Sequence, residues 1–128
     1  MLLKEESTLE VAEAFLRRHL SEPITLADIA AATSLPVTSL TRYFRLRAGI
    51  SPMKWVWEFR LDQASRLMLE TDWSISKIAT QTGFVSLPHF SRRFHQKFGE
   101  CPSQWRIRRL ERMRAKRAYA SALWAPEA

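Results

Sequence analysis

The later part of this chain repeats an earlier part, and that constrains its fold more than any other feature. Ile29-Ala30 returns as Ile78-Ala79, and Ser34-Leu35 returns as Gly83-Phe84, each 49 residues on. One extra residue in the following turn moves the offset to 50. Leu40 is then matched by Phe90, Arg42 by Arg92, Phe44 by Phe94, Gly49 by Gly99, Pro52 by Pro102 and Trp55 by Trp105. So many pairs in register define two copies of one supersecondary unit, and any fold must place them equivalently. A length of 128 residues leaves room for one domain, or two small ones packed together, around a modest core.

The punctuation makes each copy helical. Glycine occurs only three times, prolines sit at segment edges, and no stretch alternates apolar and polar residues long enough for a strand. A first helix is predicted over about 8–20, with Leu9, Ala12, Leu16 and Leu20 facing inward and Val11 and Phe15 beside them. Pro23 ends that segment. Thr25 and Asp28 have capping-box spacing and open a second helix, about 26–33. A third, about 36–48, buries Leu40 and Phe44 and stops at Gly49. Ser51-Pro52 starts a long fourth helix, about 52–70, just under ~30 Å at about 1.5 Å per residue. Ser74 caps a fifth, about 75–82. Gly83 turns the chain into a sixth, about 87–98, and after Gly99 the Cys101-Pro102 pair opens a seventh that continues to about residue 118.

The expected fold is therefore all-α, with seven helices in two helix-turn-helix subdomains joined by a long central helix. Within one domain, 1–128, the expected parts are a first subdomain (about 8–51), a linker helix (52–70), a second subdomain (71–106) and a basic C-terminal tail (107–128).

Charge narrows what such a fold could bind. Residues 1–35 carry three basic residues against six acidic ones, a net of −3. Residues 36–128 carry 17 against seven, a net of +10, which together make the chain's +7. A pI near 10.3, with its positive charge in the later part, predicts a polyanionic partner, nucleic acid ahead of an anionic membrane. No apolar run approaches the roughly 18 residues of a membrane span, and Met1 to Glu6 do not lead into a signal peptide's apolar run. The lone Cys101 has no internal partner, which fits the cytoplasm.

The repeat also puts arginine in one place twice. With Leu40 and Phe44 buried, the opposite face of the third helix carries Thr38, Thr41, Arg42 and Arg45. With Phe90 and Phe94 buried, that of the sixth carries Leu87, His89, Arg92 and Arg93, with Ser91 and His95 at its edges. Arginine can bond bidentately to guanine, hydroxyls to several base edges, and an apolar group can touch a thymine methyl. A lone exposed arginine is most often solvated surface. Recurrence in both copies favours base reading for Arg42 and Arg92, with Thr38, Thr41 and His89 beside them. Arg45, Lys54, Arg93 and Lys97 are the phosphate-contact candidates. The linker helix is comparable in length to the ~34 Å repeat of DNA, so one chain could place two reading helices in successive major grooves without dimerising.

At three stretches the sequence resembles the AraC/XylS family of transcription regulators: LADIAAATSLPVTSLTRYFRLRAGISPMKW, RLDQASRLML and SISKIATQTGFVSLPHFSRRFHQKFGECPSQWR. Together they cover roughly 25–106. The resemblance implies a two-subdomain, seven-helix DNA-binding domain that acts near promoters, usually activating transcription by contacting RNA polymerase. Carried over by position, the base-facing residues are Thr38, Thr41 and Arg42 in the first unit and Leu87, Pro88, His89 and Arg92 in the second. Leu87 and Pro88 stand where the family often has polar readers, which shifts the second unit towards thymine or phosphate contact. Many family members carry a separate sensing domain. The phrases KWVWEFRLDQA and LETDWSI are similar to members with an amidase-like sensor, so the chain is expected to be the C-terminal piece of such a protein or a stand-alone regulator.

The remaining features point to little chemistry. Seven basic residues between Arg106 and Arg117, interleaved with Ile107, Leu110 and Met113, are either extra phosphate contacts, a partner surface or a solvated helix end. Trp55 and Trp105 are expected in the core, and Cys101 serves as a capping substitute where the first copy has Ser51. His19, His89 and His95 lack metal-ligand spacing, and neither a nucleophile triad nor a glycine-rich phosphate loop is present. No enzyme, metal or cofactor is implied. The alternatives to a sequence-specific regulator are a non-specific architectural DNA- or RNA-binding protein and a DNA-repair enzyme domain, which would need metal ligands near a reactive cysteine that Cys101 lacks.

Overall fold

A computed structural model describes the backbone of residues 2–124 and the side chains of residues 8–123. Seven helices follow in order: α1 (Leu2–Arg18), α2 (Leu26–Thr33), α3 (Val37–Arg47), α4 (Pro52–Glu70), α5 (Ile75–Gln81), α6 (Leu87–Phe98) and α7 (Pro102–Trp124), with no strand among the described residues. Three starts follow from capping chemistry. Thr25 and Asp28 form the reciprocal box at 3.2 and 2.9 Å, Ser51 accepts from the Lys54 amide at 3.2 Å, and Ser74 accepts from that of Lys77 at 3.0 Å. Ser86 caps α6 in the same way, accepting from the His89 amide at 3.2 Å.

The boundaries of α1 and α7 differ from expectation. α1 begins at Leu2, and Thr8 lies inside it as a buried residue. It ends at Arg18, because the His19 amide bonds both Phe15 and Leu16 carbonyls and Glu22 bonds back to His19, tightening the chain before Pro23. α7 runs past residue 118 to Trp124, since no glycine or proline interrupts it before Pro126. α3 and α5 are each slightly shorter than expected, by a residue or so at their ends.

The repeat is visible as shared geometry. The Leu35 amide bonds the Ala30 carbonyl at 3.1 Å, and at the matching turn Phe84 bonds Ala79 at 3.0 Å. Ser34 and Gly83 both take left-handed backbone, φ 58° and 88°, where a serine pays strain that glycine escapes. Ile29, Leu40 and Phe44 are fully buried, as are their counterparts Ile78, Phe90 and Phe94. The single residue that breaks the register is Val85: Phe84 still answers Leu35, and Ser86 already answers Pro36.

Each copy has its own core, and α4 serves both. Ala12, Leu16, Ile29, Leu40 and Phe44 pack on Val56 and Phe59 from the first half of α4. Ile78, Phe84, Phe90, Phe94 and Trp105 pack on Leu61, Ala64 and Met68 from its second half. Between them lies Arg60, only 2% exposed. Its Nη1 donates to the Gly83 carbonyl at 2.9 Å and its Nη2 to the Glu22 carbonyl at 2.6 Å, so one guanidinium ties loops from both copies to the shared helix. Burial lowers its pKa, but a guanidinium keeps its charge. Nothing in the sequence pattern marks Arg60 except its apolar neighbours Phe59 and Leu61.

Arg106 requires a correction. Counted from sequence as part of the basic tail, it turns back onto the C-terminal end of α4. There it donates from Nε to the Met68 carbonyl (2.9 Å), from Nη2 to Thr71 (2.6 Å) and from Nη1 to Trp73 (2.6 Å). Met68 lies in the last turn of α4, whose carbonyls lack helical partners, and Thr71 and Trp73 lie in the loop that follows. The remaining basic residues of α7, from Arg108 onward, are exposed; Arg108 pairs with Glu100 at 2.8 Å and Arg109 lies over Trp105 at 5.6 Å.

Candidate nucleic-acid interface

Two helices carry the candidate reading residues, each held by its apolar pair. On α3, Leu40 and Phe44 are buried, while Thr38, Arg42 and Arg45 are exposed. Thr41 is half-buried, and its hydroxyl donates to the Val37 carbonyl at 2.9 Å, leaving the oxygen free to accept. On α6, Phe90 and Phe94 are buried, and Leu87, Pro88 and Arg92 are exposed. Arg42 and Arg92 thus occupy equivalent outward positions. Lys54, at the start of α4, is exposed as well.

Three predicted residues are engaged within the protein. His89 is half-buried, its ring 5.3 Å from that of Trp57 and 5.6 Å from that of Phe84. Burial, then the charges of Arg93 and Arg92, hold its pKa below the usual imidazole value. A neutral ring can accept a proton donor, and Arg93 Nε donates to His89 Nε2 at 3.2 Å. Arg93 itself lies over Trp57 at 5.1 Å, leaving part of its charge outward. Lys97 is 23% exposed and pairs with Glu58, and with Asp62 at 3.5 Å. Burial alone would lower its pKa, but the Glu58 hydrogen bond and the Asp62 and Glu58 charges prevail and raise it. Its charge is directed to α4.

Exposed apolar residues beside the reading helices escaped the sequence reading. Val37, at the start of α3, is 41% exposed, and Val85, before α6, is 93% exposed. Val85 could have been singled out as the one residue that interrupts the repeat. Among the described residues no group of His, Cys, Asp and Glu side chains is placed to hold a metal ion. No helix among them is long and apolar enough to cross a membrane.

Comparison with known proteins agrees with this geometry. A helix-turn-helix domain family matches residues 29–108. The HTH-type transcriptional regulator GbdR of Pseudomonas aeruginosa is 33% identical over 102 residues, which are 80% of this chain and 28% of GbdR. The HTH-type transcriptional activator RhaS of Pectobacterium carotovorum is 29% identical over 84% of the chain and 39% of its own length. The chain therefore spans well under half the length of these relatives. Among solved structures, an AraC-type regulator from Chromobacterium violaceum superposes with TM-score 0.76 at 32% identity, covering 81% of this chain and 93% of that one. The DNA-binding domain of the global transcriptional factor AdpA, solved with a target DNA, superposes with TM-score 0.74 at 28% identity, over 82% and 94% of the two chains. With its two equivalent units, its shared central helix and these relatives, the chain belongs to the AraC/XylS family of transcription regulators and carries that family's DNA-binding domain.

Proposed function

We propose that this chain binds a specific duplex DNA site and regulates transcription from it, as an activator, with α3 and α6 entering successive major grooves. The observation that carries the reading is the equivalent outward placement of Arg42 and Arg92 on two helices whose inward faces also match. Base contact is assigned to Thr38, Thr41 and Arg42 on α3 and to Leu87, Pro88 and Arg92 on α6. His89 is assigned to base reading as well, and its ring also holds Arg93 at the α6 surface. Arg45, Lys54 and Arg93 contact phosphates. Lys97, as an expected phosphate contact, would have to leave Glu58 first. The chain acts in the cytoplasm without catalysis, reads an asymmetric site as a monomer and contacts RNA polymerase. Within a longer protein a dimer is the expected state.

Selection from randomised duplexes, followed by titration of the winning site against scrambled duplex near physiological salt, tests this. A split asymmetric motif bound by one chain supports the proposal. Arg42→Ala should then cost about 1–3 kcal/mol on that site and relax one base preference. An equal loss on every sequence would reduce Arg42 to a phosphate contact. Binding that follows salt alone, with single strands competing equally, would favour a non-specific nucleic-acid-binding protein.

A further inference from the structure

Beside Arg60 the two copies enclose a cavity of about 370 Å³, reached from the surface and lined mainly by apolar side chains. Ile24 comes from the first copy, Met53 and Trp57 from α4, and Phe84 and Val85 from the second copy. We propose that this cavity binds a small apolar carboxylate, with Arg60 in its wall meeting the charge.

The case rests on a buried cation without a counter-ion. Arg60 is 2% exposed, and burying a charge is costly unless it is paired. It forms no ion pair with any described residue: its hydrogen-bond partners are the Gly83 and Glu22 carbonyls, and it stacks on Trp57 at 5.3 Å. The nearby Glu22 carboxylate turns instead to His19, 3.0 Å away. A guanidinium has five N–H donors; the two carbonyls use one each on Nη1 and Nη2, which leaves a second N–H on each, while the unpartnered Nε is buried from the cavity as well as from solvent. Apolar walls around spare cationic donors select a ligand with an apolar body and one anionic end. A dry cavity of about 150 Å³ already accepts benzene, so this one has room for a single ring or a short chain with its carboxylate.

Because the lining spans both copies, occupation would bias how they sit on α4. That consequence rests on the DNA-binding reading; the site itself does not. The test is a ¹⁵N–¹H NMR titration of the whole chain, without DNA and at matched ionic strength, with benzoate, hexanoate and uncharged benzamide. Benzoate or hexanoate should shift the amides of Ile24, Gly83 and Val85 saturably, with Kd at or below about 1 mM, and benzamide should bind at least about tenfold more weakly. Arg60→Met should abolish binding, but it also cuts the loops loose. Thr80→Glu, on an exposed residue of the lining, therefore serves as the second variant. It puts a competing carboxylate at the rim and should weaken benzoate at least about tenfold.

No saturable shifts at these amides, equal binding of benzamide, or unchanged affinity in Thr80→Glu would each overturn the site and leave Arg60 as a structural strap. The selected duplex is then titrated with and without saturating benzoate. A change in Kd of about threefold or more supports coupling, and an unchanged Kd overturns it. Cavity binding with no duplex binding would sink the DNA-binding reading alone, and the converse would sink the site alone.

Discussion

Gly49 and Gly83 share a left-handed backbone but not a neighbourhood. A Cβ on Gly49 (φ 74°) meets open space, whereas one on Gly83 (φ 88°) lies 1.7 Å from Arg60 Nη1 and 2.7 Å from the Leu20 carbonyl oxygen. Gly49→Ala should therefore cost only the conformational strain, about 1–2 kcal/mol. Gly83→Ala adds a collision with backbone that cannot move aside, for a total of about 2–5 kcal/mol; urea unfolding of both variants checks the difference. His89 makes a second prediction at this scale. Its folded-state pKa lies below the unfolded value near 6.5, so the unfolded chain takes up the proton first as pH falls. The contribution is full above that value and is lost as pH drops through the lower folded one. His89→Gln should flatten the fall in stability between about pH 7.5 and 5.5, and an imidazole NMR titration should place the wild-type midpoint below 6.5. The sequence could announce Gly83 as a turn, but not the arginine packed beneath it. That contact joins residues 23 positions apart, and no local pattern encodes it.

The helices divide by how their ends are marked. Thr25 with Asp28, Ser51-Pro52 and Ser74 are side chains whose own oxygens create the helix start, so α2, α4 and α5 were legible to within a residue or so. α1 and α7 have ends that no cap announces: continuous helix-forming residues carry α1 back to Leu2 and α7 on to Trp124. The buried pairs of α3 and α6, and with them the outward face holding Arg42 and Arg92, followed from the 3.6-residue period alone. His89, Arg93 and Lys97 sit on the edge of that same face, where Trp57, Glu58 and Asp62 of α4 reach them, and a helical wheel cannot show a neighbouring helix. Arg106 is the comparable case at an element's end. Arg106→Met should cost about 2–4 kcal/mol by stripping three charged hydrogen bonds from the last turn of α4 and the loop after it. Arg112→Ala, on the exposed part of α7, should stay within about 0.5 kcal/mol. Thermal unfolding of the pair distinguishes a clamp from a solvated charge.

At the scale of the molecule, positive charge divides into charge that is available and charge already spent on the fold. Lys97 and Arg106 are held by carboxylates and carbonyls, while Arg42, Arg45 and Arg92 are exposed. Salt dependence of duplex binding should separate the two sets. Arg45→Ala is expected to lower the slope of log K against log salt by about 1, and Lys97→Met to leave it unchanged. A reduced slope for Lys97→Met would mean that Lys97 abandons Glu58 for a phosphate.

Val85 has a consequence for the molecule's polarity. One inserted residue and three unlike pairs (Val37 with Leu87, Thr38 with Pro88, Ser39 with His89) keep the two copies from being interchangeable. A reader built this way has a head and a tail. On the proposed two-helix reading, reversing a bound site end for end presents each half with the other's bases, so an operator for this chain would carry an arrow as well as a sequence.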